Sequence, residues 1–348
     1  MVSQTNEQAL EALIEQVLCG ISREVLKEEG GSDAVALQQS DQYRTEIGHG
    51  YQLGWTSDYD REFSIDTAKF WGFLNSTQAD ELAKLKDQPN WERLILEHLN
   101  KRIKKHGLLK VLKNGLSIND AHLTLLYSAP YNEINPEVAE NFERNVFSVT
   151  RQLYYSQTNP NLSIDMGLFI NGLAIATLEL KNAWTGQTTY HAIKQYREDR
   201  DPSEPLLQFG RCLVHFAVDT DEVYMTTRLA GKKTVFLPFN KGHSYGKGNP
   251  PGDVSTGGHR TAYLWQEVLT RQSLTNIIEH FAKLVGEKGN DPLNRRTLYF
   301  PRYHQLEVVR KLLAHARTQG VGHTYLIHHS AGSGKSNSIT WAAYQLIE

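Results

Sequence analysis

The sequence predicts an α/β protein: a mixed sheet flanked by helices, followed by the start of a second unit built on a phosphate loop. Three observations carry this. Residues 163–181 read as a β-hairpin, two apolar runs around Asn171-Gly172. Several segments repeat their apolar residues at helical spacing. Near the end of the chain, the order is short apolar run, glycine turn, helix.

Composition bounds the function. The chain has 348 residues, 40% hydrophobic and 22% charged, which is ordinary globular composition rather than disorder. Its two cysteines, Cys19 and Cys212, exclude a disulfide scaffold and a four-cysteine zinc site, and fit a reducing compartment. The fourteen histidines show no His-x3-His spacing, so a zinc site is not expected. No apolar run reaches the roughly 18 residues of a membrane span, and the acidic, polar stretch Met1–Glu15 is no signal peptide. A cytoplasmic protein without a membrane partner is expected. The net charge of −2 excludes a uniformly basic nucleic-acid coat but leaves room for a local basic groove.

In chain order, Glu7–Leu18 reads as an amphipathic helix, with Leu10, Leu13, Ile14, Val17 and Leu18 on one side. Gly30–Ser40 reads as a loop. Trp91–Ile103 is a second helix, set by Ile95, Leu96, Leu99 and Ile103. It runs into the densest basic stretch, Lys101–His106, which is either a DNA contact or a solvated helix end. After the hairpin, Tyr190–Arg200 reads as a helix ending before Pro202. Its Lys194, Arg197 and Arg200 either meet DNA phosphates or form a solvated face. Cys212–Val218 and Val223–Thr227 are strand-like. Asn240–His259, rich in Gly, Pro and Ser, is a long loop. Gly286–Asn294 reads as a linker that divides the chain into residues 1–285 and 286–348.

The hairpin carries the first candidate chemistry. Asp165 lies near the start of one strand, and Glu179-Leu180-Lys181 ends its partner. Side chains alternate, so Glu179 and Lys181 share a face. Asp165 and Glu179 can hold Mg²⁺ through oxygen ligands. Such an ion stabilises phosphoryl charge and acidifies a water, and Lys181 can orient that water or steady the developing charge. The alternative is a half-exposed hairpin with unrelated charges at its open end. Register decides between them. A strict two-residue loop pairs 170 with 173, sets Asp165 across from Leu178 and sends Glu179 to the opposite face. The carboxylates converge only with an odd loop or a bulge.

The second candidate is Ser330-Ala331-Gly332-Ser333-Gly334-Lys335-Ser336, between the strand-like Thr324–His329 and a helix over Asn337–Leu346. Backbone N–H groups around Gly332, Ser333 and Gly334 and the helix N-terminus suit ATP phosphates. Lys335 would reach the β- and γ-phosphates and Ser336 would ligate Mg²⁺. The alternative is a glycine turn before a surface helix. His329 stands where the general pattern has glycine, a departure common among helicase-like translocases. Upstream, Phe300-Pro301-Arg302-Tyr303-His304-Gln305 resembles the adenine-reading motif of superfamily 2 helicases. The Gln305 amide can donate and accept against the N6 and N7 edge, or it caps its helix. The chain ends at Glu348 without the later acidic strand such an ATPase needs. It is therefore expected to be the N-terminal piece of a longer protein, which alone binds ATP weakly and turns it over negligibly.

Together these motifs resemble one family, the R subunit of type I restriction enzymes. The resemblance runs through Asn145–Gln152, Leu168–Gly172, Glu179–Asn182, Phe300–Gln305 and His328–Ser336. It implies a PD-(D/E)xK nuclease domain followed by a RecA-like superfamily 2 DNA translocase domain that is cut short here. By position it implies Asp165, Glu179 and Lys181 as the nuclease core, Gln195 as the glutamine that follows it, and Glu11 as an early-helix acid. Asp199 stands where some members have Tyr, and Ile164 where a proline often precedes the core Asp. The implied cofactors are Mg²⁺ and ATP. The implied partners are double-stranded DNA and the methyltransferase and specificity subunits of a restriction-modification complex. Two competing readings are a non-catalytic DNA-docking or assembly module with a decayed nuclease fold, and a stand-alone phosphate-loop NTPase.

Overall fold

The computed structural model describes residues 7–28, 48–130, 135–182, 186–244, 246–252, 257–288, 291–320 and 322–347. The loop expected at 30–40 lies outside them. The strands are β1 (Gln52–Leu53), β2 (Tyr59–Asp60), β3 (Ile65–Asp66), β4 (Leu116–Ile118), β5 (Ala121–Leu123), β6 (Phe147–Tyr154), β7 (Ser163–Ile170), β8 (Leu173–Leu180), β9 (Val214–Val218), β10 (Val223–Thr226), β11 (Leu237–Pro238), β12 (Lys283–Val285) and β13 (Thr297–Tyr299).

Nine of them form one mixed sheet, in the order β1-β6-β7-β8-β9-β10-β11, with β2 and β3 joined through β8. β1 and β6 are parallel, as are β8 and β9; β6, β7 and β8 run antiparallel. Every residue of β8 is buried, as expected of a strand covered on both faces. Helix α1 (Glu7–Cys19) packs Leu10, Ile14 and Leu18 into the main core. Helix α2 is Arg23–Glu28, and helix α3 (Trp91–His106) buries Ile95, Leu96, Leu99 and Ile103, the periodic positions of the sequence. Helix α4 (Thr189–Glu198) makes the crossover between the parallel strands β8 and β9 and packs on both.

The hairpin turn is the expected one. Asn171 and Gly172 have φ of 51° and 77°, the left-handed pair of a two-residue turn. A Cβ on Gly172 would lie 2.4 Å from the Asp66 carbonyl oxygen, so only glycine fits. The pairing starts at Ile170↔Leu173 and Phe169↔Ala174, then jumps to Leu168↔Ala176. Ile175 is the extra residue of a β-bulge.

The main core runs without a break from α1 to helix α5 (Tyr303–Gln319), through Leu306 and Val309, and to helix α6 (Lys335–Ile347), through Trp341. The stretch expected as a linker joins β12 to β13, which pair antiparallel. One expected strand is absent. Residues 324–329 have no regular structure, and Tyr325, Leu326 and Ile327 are exposed. Strand propensity is satisfied only against a neighbouring strand, and none among the described residues pairs with this run. No helix among the described residues is long and apolar enough to cross a membrane, and both cysteines are buried and free.

Candidate active site

The bulge at Ile175 decides the geometry of the hairpin's open end. Beyond it the ladder runs Gly167↔Thr177 and Met166↔Leu178, and its continuation sets Asp165 across from Glu179. The one-residue shift brings to one face two carboxylates that a regular ladder would separate. The backbone N–H of Leu180 donates to Asp165 Oδ2 at 2.7 Å, which pins that carboxylate against the Glu179–Lys181 segment.

Glu179 is fully buried, and Asp165 and Lys181 nearly so. Arg200 Nε donates to Glu179 Oε1 at 2.6 Å, while Glu179 Oε2 has no hydrogen-bond partner among the described residues. Burial first, and the negative charge of Asp165 second, push Glu179 up to about 8, against the pull of Arg200 and Lys181. Lys181 Nζ lies 3.3 Å from the Glu7 carboxylate of α1. Glu11, one turn further along α1, is also buried. It accepts from Arg151 Nε at 3.0 Å and Gln152 Nε2 at 2.8 Å. Burial raises its pKa, Arg151 opposes this, and the charge of Asp165 adds to the rise, so Glu11 feels the same site.

A metal ion fits this arrangement. Glu179 Oε2, buried and without a hydrogen-bond partner among the described residues, and the neighbouring Asp165 carboxylate are hard-oxygen donors of the kind a divalent cation takes. No group of three or more His, Cys, Asp or Glu side chains suited to a metal occurs among the described residues. A small cation held here would therefore keep waters in its shell, as Mg²⁺ does.

The remaining expected residues are placed as follows. Gln195 is half-buried on α4, and no hydrogen bond ties its side chain to Asp165, Glu179 or Lys181 among the described residues. Of the three cations of this helix region, read as either DNA contacts or a solvated face, two have partners inside the chain. Arg197 donates to the Thr234 carbonyl at 3.0 and 2.8 Å, and Arg200 is buried on Glu179. Only Lys194 stays exposed, 3.9 Å from Glu198. Periodicity found the helix but not these long-range partners. The pairing of Lys181 with Glu7 and the Arg151 contacts were missed for the same reason. The one sequence signal for Arg200 was a cation placed just past the helix end, after a buried-looking Glu-x-Lys.

At the other candidate, Gly332 and Gly334 have φ of 72° and 81°, and α6 begins at Lys335. Lys335 Nζ donates to the carbonyls of His329 and Ser330 at 3.2 and 3.0 Å, and Ser336 is exposed. Gln305 is buried. Its Oε1 accepts from the Arg302 N–H at 2.9 Å, the helix-capping role, and its Nε2 donates to the carbonyls of Ser333 and Gly334, both at 3.1 Å. Its donor and acceptor are thus engaged inside the chain, bracing the glycine loop. A Cβ on Gly334 would meet Gln305 Nε2 at 2.3 Å.

Residues 49–234, more than half of the chain, match the family described as type I restriction enzyme R protein N terminus. The chain is also similar to a putative type I restriction enzyme MjaVIIIP endonuclease subunit from Methanocaldococcus jannaschii, 24% identical over 285 residues. That alignment covers 76% of this chain but only 24% of the relative, so the chain spans about a quarter of that protein's length.

Proposed function

The chain belongs to the family of type I restriction enzyme R protein N termini, and from that premise we propose that Asp165, Glu179 and Lys181 form an Mg²⁺-dependent DNA endonuclease centre on a PD-(D/E)xK-type fold. The observation that carries the reading is the bulge at Ile175, which brings Asp165 and Glu179 together and leaves Glu179 Oε2 buried without a partner. The similarity to a relative named as an endonuclease subunit supports it.

Asp165 and Glu179 would hold the ion. Bound there, Mg²⁺ supplies charge stabilisation at the scissile phosphate and a water of lowered pKa. Asp165 is held by the Leu180 N–H, so its carboxylate would be oriented before an ion arrives. Lys181, steadied by Glu7, brings a positive charge to the phosphoryl oxygens or positions the attacking water. Gln195, which the resemblance implies for this centre, would meet the DNA backbone through its amide. In the whole protein the partners would be double-stranded DNA and the methyltransferase and specificity subunits of a cytoplasmic restriction-modification complex. The test is plasmid cleavage by the full-length protein with those subunits in Mg²⁺, beside Asp165→Ala. Equal cleavage by the two proteins would overturn the reading.

A pH dependence follows from the raised pKa of Glu179. Below about 8 the folded protein keeps a proton there, and an ion must displace it. The Mg²⁺ concentration for half-maximal cleavage is expected to fall as pH rises towards about 8 and to level off above it. The metal-free fold shows the converse. Its unfolded chain releases this proton in the ordinary carboxylate range, while the folded chain holds it to about 8. Stability is therefore lost as pH rises through that window. Urea midpoints across the window, with Glu179→Gln showing a flatter slope, check the sign.

We further propose that Gly332, Ser333, Gly334, Lys335 and Ser336 form the ATP phosphate site, with Mg²⁺ on Ser336, of a superfamily 2 translocase continued in the full-length protein. The left-handed glycines and the helix starting at Lys335 support this. Gln305, now bracing the loop, would be released towards adenine or remain its support. Lys335→Ala is expected to weaken ATP binding about 10- to 100-fold, the worth of one or two charge-assisted hydrogen bonds. Titration with a fluorescent ATP analogue measures it, and unchanged affinity would remove the assignment.

A further inference from the structure

Two residues past the end of α4, Arg200 leaves the helix and turns into the sheet end. It is 6% exposed, and its guanidinium carbon lies 5.8 Å from the centre of the Tyr155 ring. Its Nε donates to Glu179 Oε1 at 2.6 Å. We propose that Arg200 is a positioning residue of the candidate nuclease centre: it fixes one oxygen of Glu179 so that the other stays free for a divalent cation. The inference rests on the endonuclease reading above.

The geometry supports it from several sides. A carboxylate torsion is broad and roughly two-fold, so an unheld Glu can present either oxygen or neither. The bond to Arg200 removes that freedom, and Glu179 Oε2 is left buried and unpaired. Arg200 itself is delivered by a fixed helix. Tyr196 Oη lies 2.8 Å from Thr177 Oγ1 on β8, one side-chain step before Glu179 on the same face, and His215 Nδ1 lies 2.7 Å from the same hydroxyl. Arg197, the residue after Tyr196, ties the helix to the Thr234 carbonyl as well. α4 is thereby registered on β8, and the position of Arg200 follows. This arginine is committed to the carboxylate and not to DNA.

The experiment uses the full-length protein and Ca²⁺ alone as the probe, with binding followed by calorimetry and folding by thermal melting. The variants are Arg200→Met, Arg200→Lys and Glu179→Gln. Removal of an outer partner that orients a metal ligand typically costs about 10- to 100-fold in metal affinity. Arg200→Met is expected to weaken Ca²⁺ binding by that factor, and to raise by a similar factor the Mg²⁺ concentration for half-maximal cleavage in the assembled complex. Arg200→Lys keeps the charge but lacks the planar fork, so its affinity is expected to lie between wild type and Arg200→Met. A folded Arg200→Met variant with wild-type Ca²⁺ affinity overturns the proposal. If that variant does not fold, Arg200→Lys decides: wild-type affinity overturns the proposal and a reduced one sustains it. Ca²⁺ binding that needs Glu179 but not Arg200 defeats this inference alone. Ca²⁺ binding and cleavage both indifferent to Glu179→Gln defeat the endonuclease reading beneath it.

Discussion

Glu179→Ala in the full-length protein is expected to abolish DNA cleavage while leaving ATP turnover intact. The variant removes one of the two carboxylates that would hold the ion and leaves Arg200 without its partner. Lewis-acid stabilisation by a bound metal is worth several kcal/mol, and each 1.36 kcal/mol is about tenfold in rate. The expected loss is therefore at least about 10³-fold. ATP turnover would depend on a separate set of groups around Gly334 and Lys335, with an ion of its own on Ser336. Plasmid nicking and phosphate release, measured on the same assembled complex, separate the two. Loss of both in a variant that melts like wild type would show that one site serves both reactions. Retained cleavage would remove Glu179 from the reaction.

The hairpin was the most legible part of the chain, because its information is local. Asn171-Gly172 set the turn, and the runs on either side set strands that end within a residue of expectation. The helices at 7–19 and 91–106 were legible for the same reason, since their buried positions repeat at steps of three and four. The bulge was legible only as a condition. Convergence of Asp165 and Glu179 required a shift, but no residue between 173 and 180 marks Ile175 as its place. Neighbouring strands and the packing beneath them choose it. Contacts across long sequence distances were not legible at all. Arg200 reads as one more helix-end cation until α4 is laid on β8. Thr324–His329 failed in the opposite sense: its residues favour a strand, but strand formation is completed by a partner, and none among the described residues supplies one. Gln305 caps its helix, one of the two roles open for it in the sequence, and its bonds to the glycine loop were not legible because they cross 28 and 29 residues.

Arg151→Ala is expected to cost about 3–5 kcal/mol of folding stability, the usual penalty for removing one partner of a buried ion-pair network. Arg151 is 6% exposed on β6. It donates to Glu11 at 3.0 Å, to Glu15 at 3.3 Å, to Glu24 at 2.7 and 2.8 Å, and to the Gln8 carbonyl at 3.2 Å. Glu11 and Glu15 are as buried as the arginine, and among the described residues only Glu15 of the two has a second cation, Arg23 at 2.9 Å. Deleting the guanidinium therefore leaves Glu11 and Glu15 of α1 away from water with less to neutralise them, while Glu24 of α2 stays partly exposed. The network stabilises the fold less than its bond count implies, because desolvation offsets most of the attraction; what is costly is breaking it on one side. Urea unfolding measures the loss, as a lower midpoint with an unchanged slope. Adding Glu11→Gln and Glu15→Gln to Arg151→Ala should recover part of it, since the stranded charges go with the substitutions. A loss below about 1 kcal/mol would mean that water reaches these acids. The same network carries α1 to the candidate site, where Glu7 meets Lys181 and Glu11 feels Asp165. In Arg151→Ala protein that remains folded, cleavage should fall as well, because the helix that steadies Lys181 keeps only the Gln152–Glu11 hydrogen bond of its polar ties to β6 among the described residues.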